Sequence, residues 1–172
     1  MRALDFARII ARLGATFIFL VAVVTNHVSA QTTVKPQIRT TAESPVIFDL
    51  TKQDGKTVLV FHWRTNCPVC LDKLEELRSN IAGWKAKPFI VLAVNHDRSR
   101  QDFQSYLQIS RTLNGDSPQL IHVYNKDIAQ DSLYKGTALP TSYLIDDKQM
   151  LRHTYVGRIP AEAWNDIADL LP

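Results

Sequence analysis

Along this chain the apolar positions change period several times, and each change predicts an element. "PVIFDL" and "TVLVFHW" are rich in β-branched and aromatic residues, with a turn signal at Asp54-Gly55 between them, which predicts two strands paired as a hairpin. From Pro68 the apolar residues fall at Val69, Leu71, Leu74, Leu77 and Ile81, a helical spacing with charges on the other face. "FIVLAV" (Phe89 to Val94) is a continuous apolar run, as in a strand covered on both sides. "RQDFQSYLQISRTL" returns to helical period, "QLIHVY" reads as a strand and "DIAQDSLY" as a short helix. "TSYLID" and "LRHTYV", split by "DKQM", read as a second hairpin. "PAEAWNDIADLL" closes the chain as an amphipathic helix with Pro160 in its first turn. Strands alternating with helices, ending in a hairpin and a helix, predict an α/β sandwich around a mixed sheet.

The first thirty residues follow another logic. Arg2, Arg8 and Arg12 precede the apolar "LGATFIFLVAVV", and "VSA" puts small residues before Gln31. This is the layout of a secretory signal peptide cleaved after Ala30, with an uncleaved N-terminal membrane anchor as the alternative. The uncharged apolar run, Leu13 to Val24, is shorter than the roughly 20 residues a membrane span needs. Residues 31–44 are polar and without apolar period, a flexible leader, which leaves 45–172 as one domain. Without Arg2, Arg8, Arg12 and Asp5 the formal net charge falls from +3 to +1, so no excess of basic charge points to nucleic acid as a partner.

The chemistry lies in the chain's two cysteines, Cys67 and Cys70, at the junction between "TVLVFHW" and the first helix. Three readings are open. A structural disulfide closing so short a loop would contribute only about 2 kcal/mol. A metal site would have two thiolates and would draw further ligands from His62, His96, His122 and His153, for which no spacing speaks; copper(I) suits two soft thiolates better than zinc does. Thiol-disulfide exchange explains the placement best. A cysteine at a helix start faces unsatisfied N–H groups and the positive end of the dipole, which lower its pKa, and that is the position of Cys67. Cys70, one turn further in, is within reach of the Cys67 sulfur and able to resolve a mixed disulfide.

"VLVFHWRTNCPVC", "GTALPTSYLID" and "YVGRIPAEAW" together resemble the thioredoxin superfamily, and within it the exported TlpA/ResA/DsbE-like thiol-disulfide oxidoreductases, over nearly all of Val46 to Leu171. The resemblance implies a thioredoxin-like three-layer sandwich, a mixed central sheet with helices on both faces. It implies a cis Pro140 beside the cysteines, and a backbone at Leu139 free to pair with an extended substrate. It also implies a periplasmic or otherwise exported monomer that needs no metal and no cofactor, because the dithiol carries the two electrons. Its partners would be protein thiols and disulfides and a membrane electron-donor protein. The reductant role fits best, with cytochrome c maturation as one setting, while a disulfide-donating oxidase stays open.

The chain departs from the family's pattern at three positions: Asn66 stands where the family has Trp, Phe61 where thioredoxin has an acid, and Arg98 near where ResA-like proteins have a glutamate. Asp97 and His62 are then the nearby candidates to take the proton from Cys70. Asp97 is equally readable as a turn residue and His62 as a structural histidine. Trp63 reads either as part of the substrate groove or as core, and Arg64 as a steering cation or a solvated loop charge.

Overall fold

The computed structural model describes residues 35–136 and 138–172; the segment read as a signal peptide, 1–30, lies outside the described residues. In chain order the elements are β1 (Ile38–Thr40), β2 (Thr57–Trp63), α1 (Pro68–Gly83), β3 (Phe89–Asn95), α2 (Arg100–Asn114), β4 (Leu120–Tyr124), β5 (Ile128–Asp131), β6 (Thr141–Ile145), β7 (Leu151–Val156) and α3 (Ala163–Asp169). The main sheet runs β4-β3-β2-β6-β7. β2, β3 and β4 are mutually parallel, and β6 and β7 are antiparallel to their neighbours.

Every residue of β2 and β3 is buried, which their continuous apolar runs encode. Alternation splits β2 between two cores. Leu59, Phe61 and Trp63 join Cys70, Leu74, Leu77 and Ile81 of α1, Phe103 of α2 and Ala163 and Ile167 of α3. Val58 and Val60 join Ile38, Phe48, Leu50, Ile90, Leu92, Val123 and Ile145 on the other face.

The layers therefore differ from the expected helices on both faces. Among the described residues all three helices contribute to the first core, and the second face is covered by β1, the Phe48–Leu50 segment and the chain around β5. Two parallel crossovers stepping the same way across a sheet, β2 to β3 and β3 to β4, put both their helices on one side.

Two local expectations are corrected with it. "PVIFDL" does not pair with β2: Phe48 N–H donates to Thr40 Oγ1, and Asp49 caps a 3₁₀ turn over Leu50–Lys52 by accepting from Thr51 N–H. "DIAQD" is not a helix but β5, antiparallel to β1. The stretch read as a leader thus holds a strand from Ile38 onward, with Ile38 and Thr40 buried. The second hairpin forms as expected, and the closing helix starts at Ala163, whose N–H donates to Pro160 O.

Candidate active site

The carboxyl ends of parallel strands are where α/β folds place their chemistry, and both loops there are tied down. Trp63 ends β2 with its ring edge-on to Phe103 and Tyr106, and its carbonyl accepts from His96 N–H at 2.7 Å. Asp97 Oδ1 accepts from Thr65 N–H at 2.8 Å, and its Oδ2 accepts from Asn95 Nδ2 at 3.0 Å. This buried carboxylate anchors the loop that delivers Cys67.

Cys67 is the N-cap of α1, extended at φ −116°, ψ 99°, and Pro68 takes the first helical position, where its missing N–H costs nothing. The Cys67 carbonyl accepts from Cys70 N–H at 2.9 Å and from Leu71 N–H at 3.1 Å. Its Sγ also lies 3.2 Å from Cys70 N, the contact that would hold a thiolate there. The two cysteines are bridged, with Cα atoms 5.2 Å apart. Cys67 is half-buried and Cys70 fully buried. The outer sulfur meets the surface, and the inner one rests in the core.

The Leu139-Pro140 peptide is cis. Pro140 immediately precedes β6, whose first residue Thr141 lies opposite His62 near the end of β2. The proline loop therefore stands at the same end of the sheet as the cysteines. Leu139 packs against the core cluster that contains Cys70 and that Cys67 also touches. Pro140 O accepts from Gly157 N–H at 2.8 Å. Gly157 has φ +84°, a left-handed conformation that suits glycine and turns the end of β7 toward the loop.

Two expected roles do not survive this geometry. Trp63 is fully buried among Phe103, Tyr106 and His122, so it is core and not groove. His62 points to the opposite face from Cys70, stacked on Tyr134 at 4.3 Å, its Nδ1 2.9 Å from His96 Nε2 and its Nε2 3.6 Å from Asp131. Burial, then the neighbouring His96, pulls its pKa down to about 3. Among the described residues neither His62 nor Asp97 hydrogen-bonds a cysteine.

One polar cluster escaped the sequence reading. Lys73, one turn beyond Cys70, is only 2% exposed and pairs with Glu76, whose Oε1 accepts from Trp164 Nε1 at 2.5 Å. Burial alone would raise the Glu76 pKa, but the bonds from Lys73 and Trp164 outweigh it and hold the carboxyl below its usual range. In the sequence, Lys73 and Glu76 look like any exposed i, i+3 pair.

A model of the AhpC/TSA family matches residues 32–154. The chain belongs to the AhpC/TSA family. Its fold is thioredoxin-like. A thiol:disulfide interchange protein DsbE from Chlorobium tepidum is similar at 25% identity and TM-score 0.61, covering 78% of this chain and 92% of that one. StoA from Bacillus subtilis, at 18% identity and TM-score 0.57 over 79% of this chain and 98% of its own, shares the fold. So does the exposed lipoprotein thioredoxin Etrx1 from Streptococcus pneumoniae, at 19% identity and TM-score 0.53 over 78% and 98%. No curated protein matches the chain by sequence.

Proposed function

We propose that this AhpC/TSA-family protein is exported and reduces disulfides of other proteins, with Cys67 as the attacking thiolate and Cys70 as the resolving thiol. The observation that carries this reading is the asymmetry of the pair: a half-buried sulfur at a helix N-cap joined to one fully buried a turn inside. The Cys67 thiolate attacks one sulfur of a substrate disulfide; that bond breaks, and the departing sulfur leaves as a thiolate. Cys70 then gives up its proton and attacks Cys67 Sγ, releasing the second substrate thiolate and closing the Cys67–Cys70 bridge. Two electrons have passed to the substrate, and a membrane dithiol donor would restore the reduced pair.

The loop at Leu139 and Pro140 would receive the substrate as an extended segment beside Cys67. Support for this comes from its position at the cysteine end of the sheet and from the packing of Leu139 on the same core cluster. Support for export comes from the charged, then apolar, then small-residue order ending at Ala30, where the signal would be cleaved. Cytochrome c maturation is one process that needs such an exported reductant.

The test is Cys70→Ser in cells. Nonreducing gels of exported protein should show new adducts that a reductant removes and that vanish in the Cys67→Ser, Cys70→Ser double variant. A reduction potential close to about −270 mV fits the reductant role, and one close to about −120 mV overturns it in favour of an oxidase. Absence of adducts together with tight, Cys67-dependent copper(I) binding would replace the exchange reading by a metal one.

A further inference from the structure

At the end of the sheet opposite the cysteines, a cavity of about 380 Å³ lies between α1, the last turns of α2 and the edge strand β4. Its polar lining is basic: Arg78 from α1, Arg111 from α2 and His122 from β4, with the hydroxyls of Ser110 and Ser117. Arg78 is held in place, Nη2 donating to Ser110 Oγ at 2.7 Å, and its side chain is 14% exposed. Its nearest carboxylate, on the exposed Glu75, is 3.9 Å from Nε, too far for a hydrogen bond. Arg78 Nε and His122 Nδ1 are both buried and have no hydrogen-bond partner. Leaving a buried guanidinium nitrogen and an imidazole nitrogen unmatched is costly, and an anion would match both.

We propose that this cavity binds a small oxyanion group, carboxylate or tetrahedral, with Arg78 and Arg111 supplying charge and His122, Ser110 and Ser117 supplying hydrogen bonds. The one acid on the lining, Asp116, sits 3.1 Å from Arg111 Nε and is 81% exposed, so it belongs to the rim. The carbonyls at the end of α2 do not oppose the anion unmatched: Arg111 O accepts from Gly115 N–H at 2.9 Å and Gln108 O from Thr112 Oγ1 at 2.9 Å. The site is independent of the cysteine chemistry and of the reading given to it.

Proton uptake is coupled to such binding. His122 stands edge-on to Trp63 and Tyr106, and the charged and titratable groups facing it are Arg78 from α1, Tyr106 and Arg111 from α2 and Asp116 from the loop after it. Burial and the two arginines hold its pKa at about 4, and a bound anion cancels part of the arginines' effect. Histidine is the side-chain type in that set that ordinarily titrates near neutrality. Affinity for a non-titrating anion therefore rises as pH falls.

Calorimetric titration of the full chain with sodium sulfate and with sodium succinate, at ionic strength held constant by sodium chloride, tests the site. At least one should bind saturably with a dissociation constant of about 1 mM or tighter, and which one does identifies a tetrahedral or a carboxylate ligand. Arg78→Gln should weaken binding about tenfold. Arg111→Gln, at an exposed position, should weaken it about threefold and decides the matter alone if Arg78→Gln fails to fold. If sulfate is the ligand, its affinity should rise as pH falls toward about 5 in the natural chain and stay flat in His122→Gln. No saturation by about 10 mM of either salt, or binding at full strength in the arginine variants that fold, overturns the proposal.

Discussion

One buried and two half-buried histidines make this fold acid-sensitive well above the range where carboxylates titrate. Burial pulls the pKa of His62 down to about 3, that of His96 to about 4 and that of His122 to about 4. In the unfolded chain each returns to its ordinary value near 6.5. Between the folded and unfolded values the unfolded chain binds more protons, so stability is fully present above about pH 6.5 and is lost as pH falls. From pH 7 to pH 5 one histidine held neutral costs about 2 kcal/mol. His62 and His122 together then cost about 4 kcal/mol, and the less buried His96 adds about 1 kcal/mol after allowance for solvent. A total of about 5 kcal/mol is a large share of the stability of a domain this size.

Other groups do not mask the effect. Asp146 and Glu76, held below the usual carboxylate range, lose their contribution only as pH approaches that range. Asp131, whose pKa is raised mainly by burial, works in the opposite sense and offsets part of the loss as it takes up its proton. Urea unfolding of the disulfide form, followed by circular dichroism at pH 7 and pH 5, should show the midpoint fall sharply. His122→Gln should lose about 2 kcal/mol less than the natural chain over the same interval. A midpoint that is flat between these pH values, or a pH dependence unchanged in His122→Gln, would refute the reasoning.

Three further outcomes follow from named contacts. Asp97→Ala leaves the Thr65 N–H without its acceptor; it should cost about 1–3 kcal/mol in urea unfolding and change the alkylation rate of reduced Cys67, since that loop carries it. Glu76→Ala strands the buried Lys73 ammonium and should cost about 3 kcal/mol or more, while Lys73→Met with Glu76→Gln should cost much less, both read by denaturant midpoints. Gly157→Ala forces a residue with a side chain to φ +84° and should cost about 1 kcal/mol, with slower turnover of a model disulfide if the Gly157 bond to Pro140 O matters to the substrate loop.

Much of the fold was legible because it rests on period alone. β2 and β3 are unbroken apolar runs, α1 and α2 keep helical spacing, and β6 and β7 flank a turn where Gln149 takes φ 63°. What failed was pairing at a distance. Period says that "PVIFDL" is apolar, not which strand it meets. The segment is diverted when Thr40 Oγ1 takes the Phe48 N–H and Asp49 caps a turn. β5 has little strand character of its own, with only Ile128 and Ala129 apolar; it is a strand because β1, far away in sequence, supplies the ladder from Ile38 to Thr40. Such pairing overrides local propensity.

The site divides in the same way. The positions of Cys67, Cys70 and Pro140 were legible because they depend on local context: a helix start, a turn inside it, and a proline ahead of a strand. His62 and Trp63 were not, because their roles depend on which face of β2 receives the helices. Neighbouring residues on a strand point to opposite faces, so only one of the two can share a core with Cys70. Successive crossovers in one direction put α1 and α2 on the side of Leu59, Phe61 and Trp63. That makes Trp63 core and sends His62 through the sheet to His96, Tyr134 and Asp131. A residue directed away from α1 cannot take a proton from a thiol buried beneath it. In the proposed exchange, His62 is therefore not the group that takes the Cys70 proton.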